Sequence, residues 1–159
     1  MGIIRAMNKW LPVLALIGLA CLGVGVYSLF KKPPQTPVPP PKEEHIIKQF
    51  VVPGNVMWAD TGIDVTGKIL TIRYVAGTWS NGGPPELMLW SDAGGGGGWS
   101  NLIVPGVPIR ALVGKTDEGA FYVGKFHEIR GQHGHLRLSM NDTDEFNDNK
   151  GSVTVTISE

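Results

Sequence analysis

Cysteine is nearly absent from this chain of 159 residues: the single one, Cys21, lies inside an apolar run. The rest of the chain therefore has no disulfide framework, no cysteine-based zinc cluster and no thiol nucleophile. A basic surplus is missing too. The formal net charge is zero, and Arg5, Lys9, Lys31 and Lys32 flank the apolar run with no acid near them. All 14 acidic residues stand beyond Lys42, where they outnumber the basic ones. That excess of negative charge excludes nucleic acid as a partner, because phosphate recognition needs a basic face. The sign asymmetry belongs instead to a membrane anchor. Glycine is plentiful, at 22 residues, and clusters with proline between strand-like segments, as turns do in an all-β domain.

The one long apolar run is Leu11–Phe30, LPVLALIGLACLGVGVYSLF, twenty residues without a charge. A spanning helix needs ~20 apolar residues at ~1.5 Å each. Trp10 stands at one end, with Tyr27 and Phe30 at the other, where amphipathic rings favour the interface. Lys31 and Lys32 can snorkel to the headgroups. A cleaved signal has an apolar core of ~7–15 residues ending in small residues, and this run is longer and ends in bulky ones. A lipoprotein signal acylated at Cys21 fits poorly, because the apolar run continues well past it. The expectation is one retained transmembrane helix at 11–30, after a tail at 1–10. Gly18, Cys21 and Gly25 make part of it small. The Cys21/Gly25 spacing of four lets another helix approach closely, although glycine is common in spans anyway.

Residues 31–44 read as a stalk. Pro33–Pro41 holds six prolines in nine residues and favours polyproline II, extending ~3.1 Å per residue. A semi-rigid spacer accounts for it better than a PxxP ligand does.

From 45 to 159 the pattern changes to short apolar runs broken by Gly, Pro, Asn and Asp. Strands are expected at His45–Val52, Asn55–Ala59, Lys68–Ala76, Ile109–Val113, Ala120–Lys125, His135–Met140 and Ser152–Ile157. In the last, Val153, Val155 and Ile157 alternate with Ser and Thr, as in an antiparallel sheet with one wet face. The expected fold is all-β: an antiparallel β-sandwich, jelly-roll-like. No helix of useful length and no repeat is expected there.

Several motifs then fall in order. Trp58-x-Asp60-Thr61-Gly62-Ile63 precedes a strand ending Ala76-Gly77-Thr78-Trp79. Val104-Pro105-Gly106-Val107-Pro108 leads to Ala111-Leu112-Val113-Gly114-Lys115, then Phe121-x-Val123-Gly124. Leu136-x-Leu138-x-x-Asn141-Asp142 leads to Asp148-Asn149-Lys150-Gly151-Ser152. This ordered set, from about Val51 to Ile157, resembles the galactophilic lectin family of Pseudomonas. The resemblance implies a β-sandwich that binds galactose through calcium. Carried over by position, it implies metal ligands at Asp142, Asp148 and Asn149, with a backbone carbonyl near Gly82.

The residues agree with this in part. Asn141–Asn149, NDTDEFNDN, is rich in oxygen donors, and calcium takes ~6–8 hard oxygens. A polar hairpin loop is the plainer reading of the same residues. Three departures from the family count against a sugar site. The carboxylate loop is shorter, a glycine stands where the family has tyrosine, and the loop that supplies further sugar contacts is Ser91–Ser100, with five consecutive glycines. Trp90 or Trp99 could stack on a sugar ring, or belong to the core or rim.

Nothing selects an enzyme. His133 and His135 read as polar residues at a strand start. Gly94–Gly98 lacks the Lys-Ser/Thr of a phosphate loop and reads as a flexible surface loop. The leading expectation is a non-enzymatic accessory subunit whose helix and β-sandwich pack into a larger membrane complex of respiratory or photosynthetic type. Its partners are then the membrane and other membrane-protein subunits. The alternative is a membrane-tethered, calcium-dependent module that binds galactose-type carbohydrate. Either way the expected location is a bacterial inner membrane with the domain in the periplasm, because the resembling domains are of exported type. The span itself is testable: the chain should stay in the membrane pellet after an alkaline carbonate wash, and its recovery in the supernatant would count against the anchor.

Overall fold

The computed structural model describes residues 44–85, 88–98, 101–143 and 145–159. The expected tail, spanning helix and nearly all of the stalk, with Gly18, Cys21 and Gly25, lie outside the described residues. Nine strands run through the described part: β1 (Ile46–Pro53), β2 (Ala59–Asp64), β3 (Leu70–Ser80), β4 (Trp90–Ser91), β5 (Leu112–Thr116), β6 (Gly119–Tyr122), β7 (Phe126–Ile129), β8 (His135–Met140) and β9 (Lys150–Ser158). They form two sheets, both wholly antiparallel. One has the order β1-β9-β3-β4, with β7 also paired to β3, and the other has the order β2-β8-β5-β6.

Alternation explains why these segments pair face to face. Successive side chains on a strand point to opposite faces. On β9, Val153, Val155 and Ile157 are fully buried while the intervening Thr154 and Thr156 are not. On β8, Leu136, Leu138 and Met140 are buried. On β3, Leu70 and Ile72 face inward. These residues, with Val52, Val65, Leu112, Ile129 and the fully buried Trp79, form one core between the sheets. The expected all-β antiparallel sandwich is therefore the observed one.

Local differences have local causes. The segment Asn55–Ala59 is a turn rather than a strand, since Trp58 holds a left-handed φ of 59°, and pairing starts only at Ala59. The segment Ile109–Val113 starts pairing late, with one isolated bridge at Ala111 and the strand itself at Leu112, because Arg110 holds a φ of 62°. The run Ala120–Lys125 divides at Gly124, whose φ is 60°, so the chain crosses from β6 in one sheet to β7 in the other.

The core predicts its own sensitivity. Leu138 has no exposed surface, and Leu138→Ala should cost about 2–5 kcal/mol through lost transfer energy and a residual cavity. Urea unfolding followed by tryptophan fluorescence reads this directly, and a loss under about 1 kcal/mol would contradict the packing described.

Candidate functional site

The loop between β8 and β9 is held at both ends. As β8 ends, Asn141 exchanges backbone hydrogen bonds with its neighbours: its N–H donates to Ala111 O at 2.7 Å, and its carbonyl accepts from Arg110 N–H at 2.7 Å. Its side chain is buried and satisfied. Oδ1 accepts from Val104 N–H at 3.0 Å, and Nδ2 is within 3.2 Å of the carbonyls of Val104, Val107 and Pro108. One amide thus fixes the whole 104–108 turn beside the loop. At the far end Asn149 Nδ2 donates to Gly54 O at 3.1 Å, and Gly54 N–H donates to Gly151 O at 2.9 Å. Phe146, 6% exposed, is the apolar plug of the loop.

Between these anchors the structure brings together all four residues expected as metal ligands. Asp142 and Asn149 are each 3% exposed. Asp142 Oδ1 accepts from Thr143 N–H at 2.8 Å, but its Oδ2 is buried with no hydrogen-bond partner among the described residues. Asn149 Oδ1 is likewise buried and unpartnered. Asp148 lies against the backbone of Gly82. A Cβ at Gly82 would overlap the Asp148 carboxylate, so only glycine, here at φ 79°, admits this approach.

Two buried acceptors without donors are costly. Burial pushes the carboxyl of Asp142 above its usual range, and the charge of Asp148 adds to this. The Thr143 N–H, the Asn149 side chain and the charge of Arg110 act in the opposite sense. The expected donor set, two carboxylates, an amide oxygen and a backbone carbonyl at Gly82, is all hard oxygen, the kind that calcium takes. Among the described residues no group of three or more His, Cys, Asp or Glu side chains could hold a metal ion, so a nitrogen- or sulfur-rich site is not assembled there.

The sequence reading missed Arg110. Nothing in the run Pro108-Ile109-Arg110-Ala111 marks it, yet it is 6% exposed beside this loop. Its carbonyl accepts from the indole N–H of Trp79 at 2.7 Å. A left-handed φ on a residue with a Cβ costs roughly 1–2 kcal/mol, offset in part by these bonds. The glycine run is also not slack where it passes Arg110. Gly94 bridges Ala111 and Gly96 N–H donates to Ile109 O at 2.9 Å. At Gly95 a Cβ would strike the backbone of Ala111, so the missing side chain is what lets the two segments touch.

The remaining candidates divide. The Trp90 ring packs across Gly151, two residues from Asn149, and Trp90 is 52% exposed. It therefore offers an open aromatic surface near the loop. Trp99 lies outside the described residues. His133 Nδ1 lies 2.6 Å from Glu118 Oε1. The backbone N–H of His133 and then its ring hold Glu118 down to about 2, so this histidine serves a surface turn.

A search of solved structures returns matches to this domain. One is the N-terminal domain of EclA, described as a PllA-like lectin. It is 20% identical, with a TM-score of 0.54, and the match covers 72% of this chain and 98% of that one. The fold is lectin-like. No family model matches the chain, and no curated protein matches it.

Two substitutions test the site as drawn. Asn141→Ala strands one buried N–H and three carbonyls and should lower unfolding free energy by more than about 2 kcal/mol. Asp142→Asn removes a charge that burial disfavours, so without added metal it should melt above the wild type at neutral pH. Because the folded-state affinity of Asp142 for its proton is raised, the wild-type deficit should shrink as pH falls through that raised value. A variant melting below the wild type at every pH would contradict the electrostatic reading.

Proposed function

We propose that the domain is a non-enzymatic binding module that takes up calcium at Asp142, Asp148, Asn149 and the Gly82 carbonyl, and that recognises carbohydrate hydroxyls there. The observation that carries this is the pair of buried, unpartnered oxygens, Asp142 Oδ2 and Asn149 Oδ1, beside a second carboxylate. Calcium would supply the positive charge that these oxygens lack and would leave coordination positions for ligand hydroxyls. The lectin-like fold supports a carbohydrate as the ligand class, and Trp90 offers a ring for the apolar face of a sugar. A galactose-type sugar is the ligand expected from the resemblance.

The packing of helix and domain into a larger membrane complex rests on the Gly18, Cys21 and Gly25 spacing. No observation within the described residues favours it over sugar binding. Membrane tethering through 11–30 and a periplasmic domain remain part of the proposal.

Calorimetry of the full chain in detergent tests the ion first. Calcium should bind and raise the melting temperature, and Asp142→Asn should abolish both effects. The same calcium-loaded protein should then be retained on immobilised galactose and released by a chelator. Absence of calcium heat would end the proposal. Calcium binding without retention on any neutral glycan, together with stoichiometric recovery in one native membrane complex, would favour assembly.

A further inference from the structure

Arg110 carries a full charge where its surroundings offer little reason for one. Its backbone is left-handed and its side chain is buried. The guanidinium donates from Nη1 to Asn81 Oδ1 at 3.0 Å and from Nη2 to Gly96 O at 2.5 Å. Both acceptors are neutral, and Nε is buried without a partner among the described residues. Neutral acceptors return only part of the hydration that a guanidinium loses on burial. The residue therefore stands against both backbone preference and desolvation.

Its position is what gives the charge meaning. Asn81, which holds Nη1, directly precedes Gly82, and Gly82 abuts Asp148. The N–H of Arg110 donates to the carbonyl of Asn141, the residue before Asp142. The side chain thus reaches the segment that abuts Asp148, and the backbone N–H reaches the residue before Asp142. No Arg110 ion pair with Asp142 or Asp148 occurs within 4.0 Å among the described residues, so the guanidinium flanks the site without occupying it.

We propose that Arg110 is a resident counter-charge for the calcium site, steadying Asp142 when no ion is bound and opposing the ion when it enters. This rests on the calcium reading above. Among the described residues, the two carboxylates expected as ligands and this one guanidinium sum to a single net negative charge to meet a divalent ion. Charge count is one of the means by which calcium sites set affinity, and this count belongs with the weak class that loads at ~10⁻⁴–10⁻³ M. The domain then exchanges its ion readily and stays folded without it. Arg110 acts as a positioning residue, through charge rather than by touching the ion.

The test is calcium calorimetry on the full chain in detergent, with ion-free melting temperatures measured beside it. Arg110→Gln removes the charge, and Arg110→Gly removes it while suiting the left-handed backbone, so one uncharged variant should fold even if the other does not. Either should bind calcium at least about tenfold more tightly than the wild type, since a like charge has been removed from a partly buried site. Arg110→Gln, which keeps the left-handed strain, should also melt lower without the ion. Arg110→Lys keeps the charge and should hold close to wild-type affinity, which a purely structural pin would not predict. Equal or weaker binding by both uncharged variants, with calcium heat intact in the wild type, overturns the inference alone. Absence of heat in the wild type and in every variant overturns the calcium reading and the inference with it.

Discussion

Strand β9 is hydrogen-bonded to β1 along one edge and to β3 along the other, so its register is fixed twice. A shift of one residue would turn Val153, Val155 and Ile157 out of the core, and burial of those three forbids it. The loop that feeds β9 inherits this constraint. Asn149 and Gly151 sit where Gly54 and the end of β3 place them, and Asp148 falls against Gly82 as a result. The position of the acidic oxygens is therefore a product of the sheet rather than of the loop's own preferences. This is also why the loop can hold unpaired acceptors, since the sandwich bears the cost of ordering them.

That cost is electrostatic. The buried Asp142 lies near the exposed Asp148, and burial raises the proton affinity of Asp142. Proteins keep buried charge by pairing it, by hydrogen-bonding it or by coordinating a metal. Here the hydrogen bonds are incomplete and the nearest cation, Arg110, is tied to neutral acceptors. The arrangement is not a finished ion pair, and the calcium proposed above would complete it. The surface turn around Glu118 makes the contrast. Its carboxylate has donors from His133 and Thr116 and wants for nothing.

The fold was legible in the sequence where one face of a strand is wholly buried. Val153, Val155 and Ile157 announce β9 by alternation, and Leu136, Leu138 and Met140 announce β8. Strands failed to show where the backbone turns on a residue that carries no turn signal. Trp58 and Arg110 are both left-handed without being glycine or asparagine, so propensity placed strand boundaries across them. β7 was hidden for the opposite reason: Gly124, read as part of one continuous strand, is a change of sheet. Asp142, Asp148, Asn149 and Gly82 came from the ordered motifs of a resemblance, and the structure brings them together. Arg110 was beyond reach, because its meaning depends on Asn81 and Gly96, far away in sequence.

The outer edge of the first sheet has a consequence of another kind. β1 has β9 as its one hydrogen-bonded strand among the described residues, so its second edge faces outward. Ile46, Ile47 and Val51 are exposed along it. An open, apolar edge invites strands of neighbouring copies to knit together. The irregular register between Ile46 and Lys48 and the proline that closes the strand at Pro53 both interrupt such an edge. Lys48 adds a charge there, its ammonium donating to Thr61 O at 2.7 Å. Copies can therefore gather at high density without their sheets fusing edge to edge.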